Sequence, residues 1–144
     1  MEKRLLLLLC FLSTGLHILK AQKFTAINAE GVEIKYEVTS ASEKTVQVTG
    51  GERPDELIIH ATVVHDGTTY RVTAIKKGAY MPSTTLVHRI RRLVLPEGLV
   101  EIGNNAFHTA FMSDGNESIY IPSTVKIIGK NAVLERLLLL RLIQ

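Results

Sequence analysis

The chain of 144 residues holds one cysteine, Cys10, inside a leucine-rich start. If residues 1–21 are removed after export, neither a thiol nor a disulfide remains. That excludes cysteine nucleophiles and cysteine-ligated metal sites from the rest of the chain. A strong charge of one sign is also missing. The formal net charge is +3, but Glu2, Lys3, Arg4 and Lys20 supply +2 of it, which leaves about +1 for everything else. No basic domain remains to engage nucleic acid or an anionic membrane. Leucine is scarce in the middle. Of nineteen leucines, fourteen lie in residues 1–21 or 134–144, and only Leu57, Leu86, Leu93, Leu95 and Leu99 fall between. With 46% hydrophobic and 22% charged residues, the chain is not a charged, disordered polypeptide.

Residues 1–21 read as a secretory signal peptide. Lys3 and Arg4 give a positive start, Leu5 to Leu19 an apolar stretch, and Lys20-Ala21 a small-residue exit. Cleavage after Ala21 leaves Gln22 first. The competing readings are a membrane anchor and a lipoprotein cysteine. The apolar run is about fifteen residues where a span needs roughly twenty, and Leu7 to Leu9 before Cys10 lack the small residue of lipoprotein processing. The expectation is a secreted or cell-surface protein with no transmembrane span in its mature chain, long enough for one domain.

The middle of the chain repeats. An offset of 26 carries Leu93 onto Ile119, Leu95 onto Ile121, Pro96 onto Pro122, Leu99 onto Val125, Ile102 onto Ile128, Gly103 onto Gly129, Asn105 onto Asn131, Ala106 onto Ala132 and Phe107 onto Val133. An offset of 27 places Ile75, Ala79 and Tyr80 under Ile102, Ala106 and Phe107, and Leu57 to Ile59 resemble Leu93 to Leu95.

Each repeated position has a physical job. Leu93 to Leu95 and Ile119 to Ile121 alternate as strands do, with the outer members in a core and Val94 and Tyr120 on the other face. Pro96 and Pro122 end those strands, because proline donates no ladder hydrogen bond. Leu99 with Ile102, and Val125 with Ile128, return apolar side chains to the interior. Gly103 and Gly129 are expected to supply tight or positive-φ backbone at a second corner. Ala106 and Phe107 close the unit with a small and a large buried side chain. A unit this short cannot bury its apolar face alone, so copies must stack.

Leu93-Val-Leu-Pro-Glu-Gly-Leu-Val-Glu-Ile-Gly-Asn-Asn-Ala-Phe107 and Ile119-Tyr-Ile-Pro-Ser-Thr-Val-Lys-Ile-Ile-Gly-Lys-Asn-Ala-Val133 resemble the BspA-like leucine-rich repeat, whose pattern runs roughly I-x-I-P-x-S-V-x-x-I-G-x-x-A-F. The preceding segment, from Gly31 through Val46 to Ile75, is similar to the β-rich leader that often precedes such arrays. The resemblance implies a secreted or surface protein of host-associated bacteria, linked to adhesion and protein–protein interaction, with no enzymatic activity and no cofactor. The expected fold is mainly β: a short leucine-rich-repeat β-solenoid over 57–133 behind an N-terminal β-hairpin cap over 22–56.

In that cap, Val32, Ile34, Tyr36 and Val38 alternate with polar residues and Thr45 to Thr49 repeat the pattern after a Ser40 to Lys44 turn, which predicts a hairpin. A second hairpin is expected to turn at Asp66-Gly67. Pro82 to Thr85 and Thr109 to Glu117 read as loops. The tail over 134–144 has good helix formers, but its leucines surround the axis rather than form a stripe. A capping helix, an oligomer contact and a truncated end of a longer gene all remain open for it.

Candidate chemistry is thin. His60 and His65 are five apart, on opposite faces of a continuous strand, whereas a metal needs converging ligands. His88 and His108 lack neighbouring carboxylates, Glu97 and Glu101 sit on presumed exteriors, and no nucleophile elbow, phosphate loop or zinc signature occurs. His88-Arg-Ile-Arg-Arg92 is the one concentrated basic stretch, either a solvated strand entrance or a contact for an acidic protein or sulfated glycan. By the repeat, Arg92 aligns with Ser118 and Val94 with Tyr120, so these four are expected on one outward face, available to a protein or glycan at the cell surface.

Overall fold

The computed structural model describes residues 21–81, 89–111 and 117–133. The expected export signal up to Lys20 with Cys10, the Pro82 to Thr85 loop, His88, residues 112–116 and the 134–144 tail lie outside the described residues. Among the described residues there is no helix.

The leader forms three antiparallel strands, β1 (Lys23–Ile27), β2 (Glu33–Ser40) and β3 (Thr45–Gly51). The β2–β3 hairpin forms where the alternation of Ile34 and Tyr36 with polar neighbours predicts it, and both side chains are buried. After β4 (Glu56–Ile58) comes a second hairpin, β5 (Thr62–His65) with β6 (Thr68–Ile75). It turns at Asp66 (φ 47°) and Gly67 (φ 72°), the two left-handed positions that match the twist of a two-residue hairpin. The leader does not stand apart from the repeats. Its last strand, β3, pairs with β6 in parallel, so the leader continues the sheet to which the repeats add.

Each later repeat contributes one short strand to each of two sheets. β7 (Arg92–Val94) and β9 (Ser118–Tyr120) join β4 in a parallel three-stranded sheet, with Leu57 opposite Leu93 and Leu93 opposite Ile119. β8 (Glu101–Ile102) and β10 (Ile127–Ile128) extend the larger sheet from β6, with Ile75 opposite Ile102 and Ile102 opposite Ile128. The sequence offsets of 26, 27 and 36 are thus realised as parallel registers. Along a third side the backbone bonds directly between copies: Tyr80 N to Ala106 O at 2.7 Å, Phe107 N to Ala132 O at 2.8 Å.

The core lies between these sides. Register places Phe24, Tyr36, Val48, Ile75, Ile102 and Ile128 in one row across the larger sheet, and all but Ile128 are buried. Leu57, Leu93, Leu95 and Leu99 face them. Pro96, Pro122, Ala106, Phe107 and Ala132 are buried at their expected corners, and Tyr80 stacks on Phe107 with ring centroids 5.2 Å apart.

Two expectations need correction. Ile128 keeps its register but not its burial, being 38% exposed. β10 is the outer strand of its sheet, and no described strand lies beyond it to cover this side chain. Gly103 and Gly129 do not supply positive φ; that role falls to Asn105 (55°), Asn131 (52°) and, at the equivalent place one copy earlier, Gly78 (67°). The two glycines are needed for close approach instead. A β-carbon on Gly103 would sit 2.5 Å from Lys77 N, and one on Gly129 2.5 Å from Asn104 N, distances no real contact sustains.

Candidate interaction face

The outward surface of the β4–β7–β9 sheet is built of two side-chain rows. Because strand side chains alternate and the three strands pair in register, Glu56, Arg92 and Ser118 form one row and Ile58, Val94 and Tyr120 the next. Arg92, Ser118 and Tyr120 are exposed, and Val94 is half-buried. The four residues singled out from the repeat, Arg92, Val94, Ser118 and Tyr120, are therefore brought together on one face.

The structure adds two carboxylates whose partners the sequence does not indicate. Arg92 Nη1 lies 3.1 Å from Glu56 Oε1, and the Tyr120 hydroxyl donates to Glu97 Oε1 at 3.0 Å. Glu56 is traceable in principle, since it sits opposite Arg92 once Leu57 is aligned with Leu93. Glu97 lies beyond the strand, at the corner after Pro96, and no strand register reaches it. Arg92 is thus paired with Glu56 and the Tyr120 hydroxyl is bonded to Glu97, and the half-exposed apolar row, Ile58 and Val94 beside Tyr120, is the part of this face that solvent serves least well.

The histidines do not converge. His60 Nε2 is 2.8 Å from Glu30 Oε2, an arrangement that lowers the Glu30 pKa chiefly through that hydrogen bond. His65 is stacked on Phe24 with centroids 4.0 Å apart and lies 3.3 Å from Asp66, and His108 is exposed. Among the described residues no three histidine, cysteine, aspartate or glutamate side chains are grouped to hold a metal ion. The polar cluster that does form is structural: Glu37 accepts from Lys76 at 2.6 Å and Gln47 at 2.8 Å and lies 3.9 Å from Lys23. The Lys76 bond, foremost, holds the Glu37 carboxyl below the usual glutamate range. Burial pushes the Tyr36 hydroxyl up to about 12 and that of Tyr80 further still. Neither tyrosine is ionised near neutrality.

No helix among the described residues is long and apolar enough to cross a membrane. No protein-family model matches the chain, and no curated protein matches it. Among solved structures the chain is similar to a leucine-rich repeat protein from Bacteroides ovatus ATCC 8483, with 21% identity and a TM-score of 0.38 over 69% of this chain. The matched region spans 30% of that protein's length.

Proposed function

We propose that the protein is a secreted or cell-surface, non-catalytic repeat protein of the BspA-like kind. Its copies stack as a short β-solenoid and present the β4–β7–β9 face to a protein or glycan. The observation that carries this reading is the pair of in-register outward rows, in which successive copies deliver Arg92 beside Ser118 and Val94 beside Tyr120. Arginine and tyrosine dominate interface energetics because each combines a large contact area with a hydrogen-bonding end. Purified protein is to be screened against immobilised extracellular-matrix proteins and sulfated glycans. Arg92→Glu and Tyr120→Ala are expected to keep the far-UV spectrum of the parent while weakening capture about tenfold, roughly 1.4 kcal/mol. Unchanged capture by both variants would move the site elsewhere.

A second reading is favoured by Ile128, an inward position left 38% exposed on an outer strand: the chain is a structural portion of a longer array without binding of its own. Genomic sequence beyond codon 144 that continues the I-P…I-G-x-x-A-F pattern in any frame would favour it over the first.

A further inference from the structure

The last two copies of the repeat are not equally buried. In the inner one the inward side chains Leu93, Leu99 and Ile102 are fully buried. Their counterparts one copy later are not: Ile119 and Val125 are half-buried, and Ile128 is 38% exposed. The difference follows from position. Leu93 lies between Leu57 and Ile119, and Ile102 between Ile75 and Ile128. β9 and β10 are the outer strands of their sheets, and no described strand lies beyond either.

The chain continues from this same end. Val133, the last described residue, is buried there, and eleven residues follow it, 134–144. In the copy before, the same number of residues carries the chain from Phe107 to Ser118, from one side of the coil round to the three-stranded sheet. Residues 134–144 are therefore long enough to cross the open end.

Their chemistry also differs from that of the segment they match. After Phe111 the earlier copy is polar, running Ser113-Asp-Gly-Asn-Glu117. At the offset of 26 those places are taken by Leu139-Leu-Arg-Leu-Ile143. A polar connection is at home in water, whereas this one brings apolar surface beside an end whose own apolar side chains lack cover. The offset that carries Phe107 onto Val133 also carries Phe111 onto Leu137. Phe111 is buried, with its ring centroid 6.2 Å from that of Phe107, so its place is one that an apolar side chain fills.

We propose that residues 134–144 fold back over the open end of the last copy, with Leu137 in the place that Phe111 holds one copy earlier and the neighbouring leucines against Ile119, Val125 and Ile128. This cover belongs to the chain itself and stands whether or not the β4–β7–β9 face binds a ligand. The chain has no tryptophan, so Leu137→Trp places a single reporter in the segment. In the full chain at low concentration its emission is expected to lie to the blue of free tryptophan, with iodide quenching it several-fold less. Adding Ile128→Asp, at a position already partly exposed, is expected to return both readings to those of free tryptophan while the β2–β3 amides stay protected. The unmodified chain gives a reading that needs no substitution. Backbone order parameters of residues 136–142 are expected at about 0.85, as in the sheets, where an unattached tail falls below about 0.6.

Order parameters below about 0.6 would overturn the proposal whether or not Leu137→Trp folds. A reporter as accessible as free tryptophan in a folded variant would do the same. Protection that survives Ile128→Asp would place the segment on another surface, and protection that appears only as the concentration rises would assign the end to a second copy of the chain; either result overturns it.

Discussion

Gly103 lies against Lys77 so closely that a β-carbon added to it would stand 2.5 Å from the Lys77 nitrogen, while its own N–H donates to Ile75 O at 2.8 Å. The next copy repeats the arrangement, with Gly129 against Asn104 and Gly129 N donating to Ile102 O at 2.8 Å. The spacing between copies is set here, by backbone against backbone. Gly103→Ala must push the copies apart and is expected to cost about 1–3 kcal/mol. Asn105→Gly, at a left-handed position that glycine adopts without strain, is expected to stay within about 1 kcal/mol of the parent. Urea midpoints of the two variants check the contrast, and a larger loss for Asn105→Gly would contradict it.

The Tyr80 hydroxyl is buried with no hydrogen-bond partner, while its ring stacks on Phe107. An unsatisfied buried hydroxyl costs free energy and the ring contributes it. Tyr80→Phe is therefore expected to raise the thermal midpoint, by up to about 1–2 kcal/mol of stability. Phe107→Ala, which empties a fully buried position, is expected to cost about 3–5 kcal/mol. Calorimetry of both variants measures the two signs together.

Glu37 gives the acid limb of stability. Its pKa in the folded state is lowered, first by the hydrogen bond from Lys76, so its stabilising contribution is complete above the ordinary glutamate value of 4.5 and is lost as pH falls through the lowered one. Glu37→Gln is expected to lower stability at pH 7 and to flatten its fall below about pH 4.5. Denaturant midpoints between pH 7 and pH 2 test this. An unchanged acid slope in the variant would assign the limb to other carboxylates.

The Arg92–Glu56 pair is exposed on both sides, 61% and 49% by side chain. Solvent screening leaves such pairs about 0–1 kcal/mol. Arg92→Glu is therefore expected to shift the thermal midpoint by no more than a few degrees, so that any effect on capture reports the face and not the fold. A midpoint lowered far beyond that would contradict the placement of Arg92 in solvent.

The repeat was legible because its apolar residues pack against their own copies: Leu93 meets Ile119 and Ile102 meets Ile128 at the offset the sequence shows. The same logic predicted the shared face of Arg92 and Tyr120. What escaped depends on neighbours that no local pattern names. β1 offers only Phe24 and Ala26 as inward residues and is a strand because β2 lies beside it. The role of Gly103 is invisible without the Lys77 backbone, since a glycine kept for close approach and one kept for positive φ are spelled alike. Glu97 finds Tyr120 across a corner, at a spacing of 23 that belongs to no repeat.

The central claim is that the copies stack, each bonded through its backbone to the one before. Native-state amide hydrogen exchange tests it most directly. The Ile90, Gly103 and Phe107 amides, which donate to Ala110, Ile75 and Ala132, are expected to exchange as slowly as those of the β2–β3 hairpin. Exchange of these three at unstructured rates, with protection confined to the leader, would contradict it.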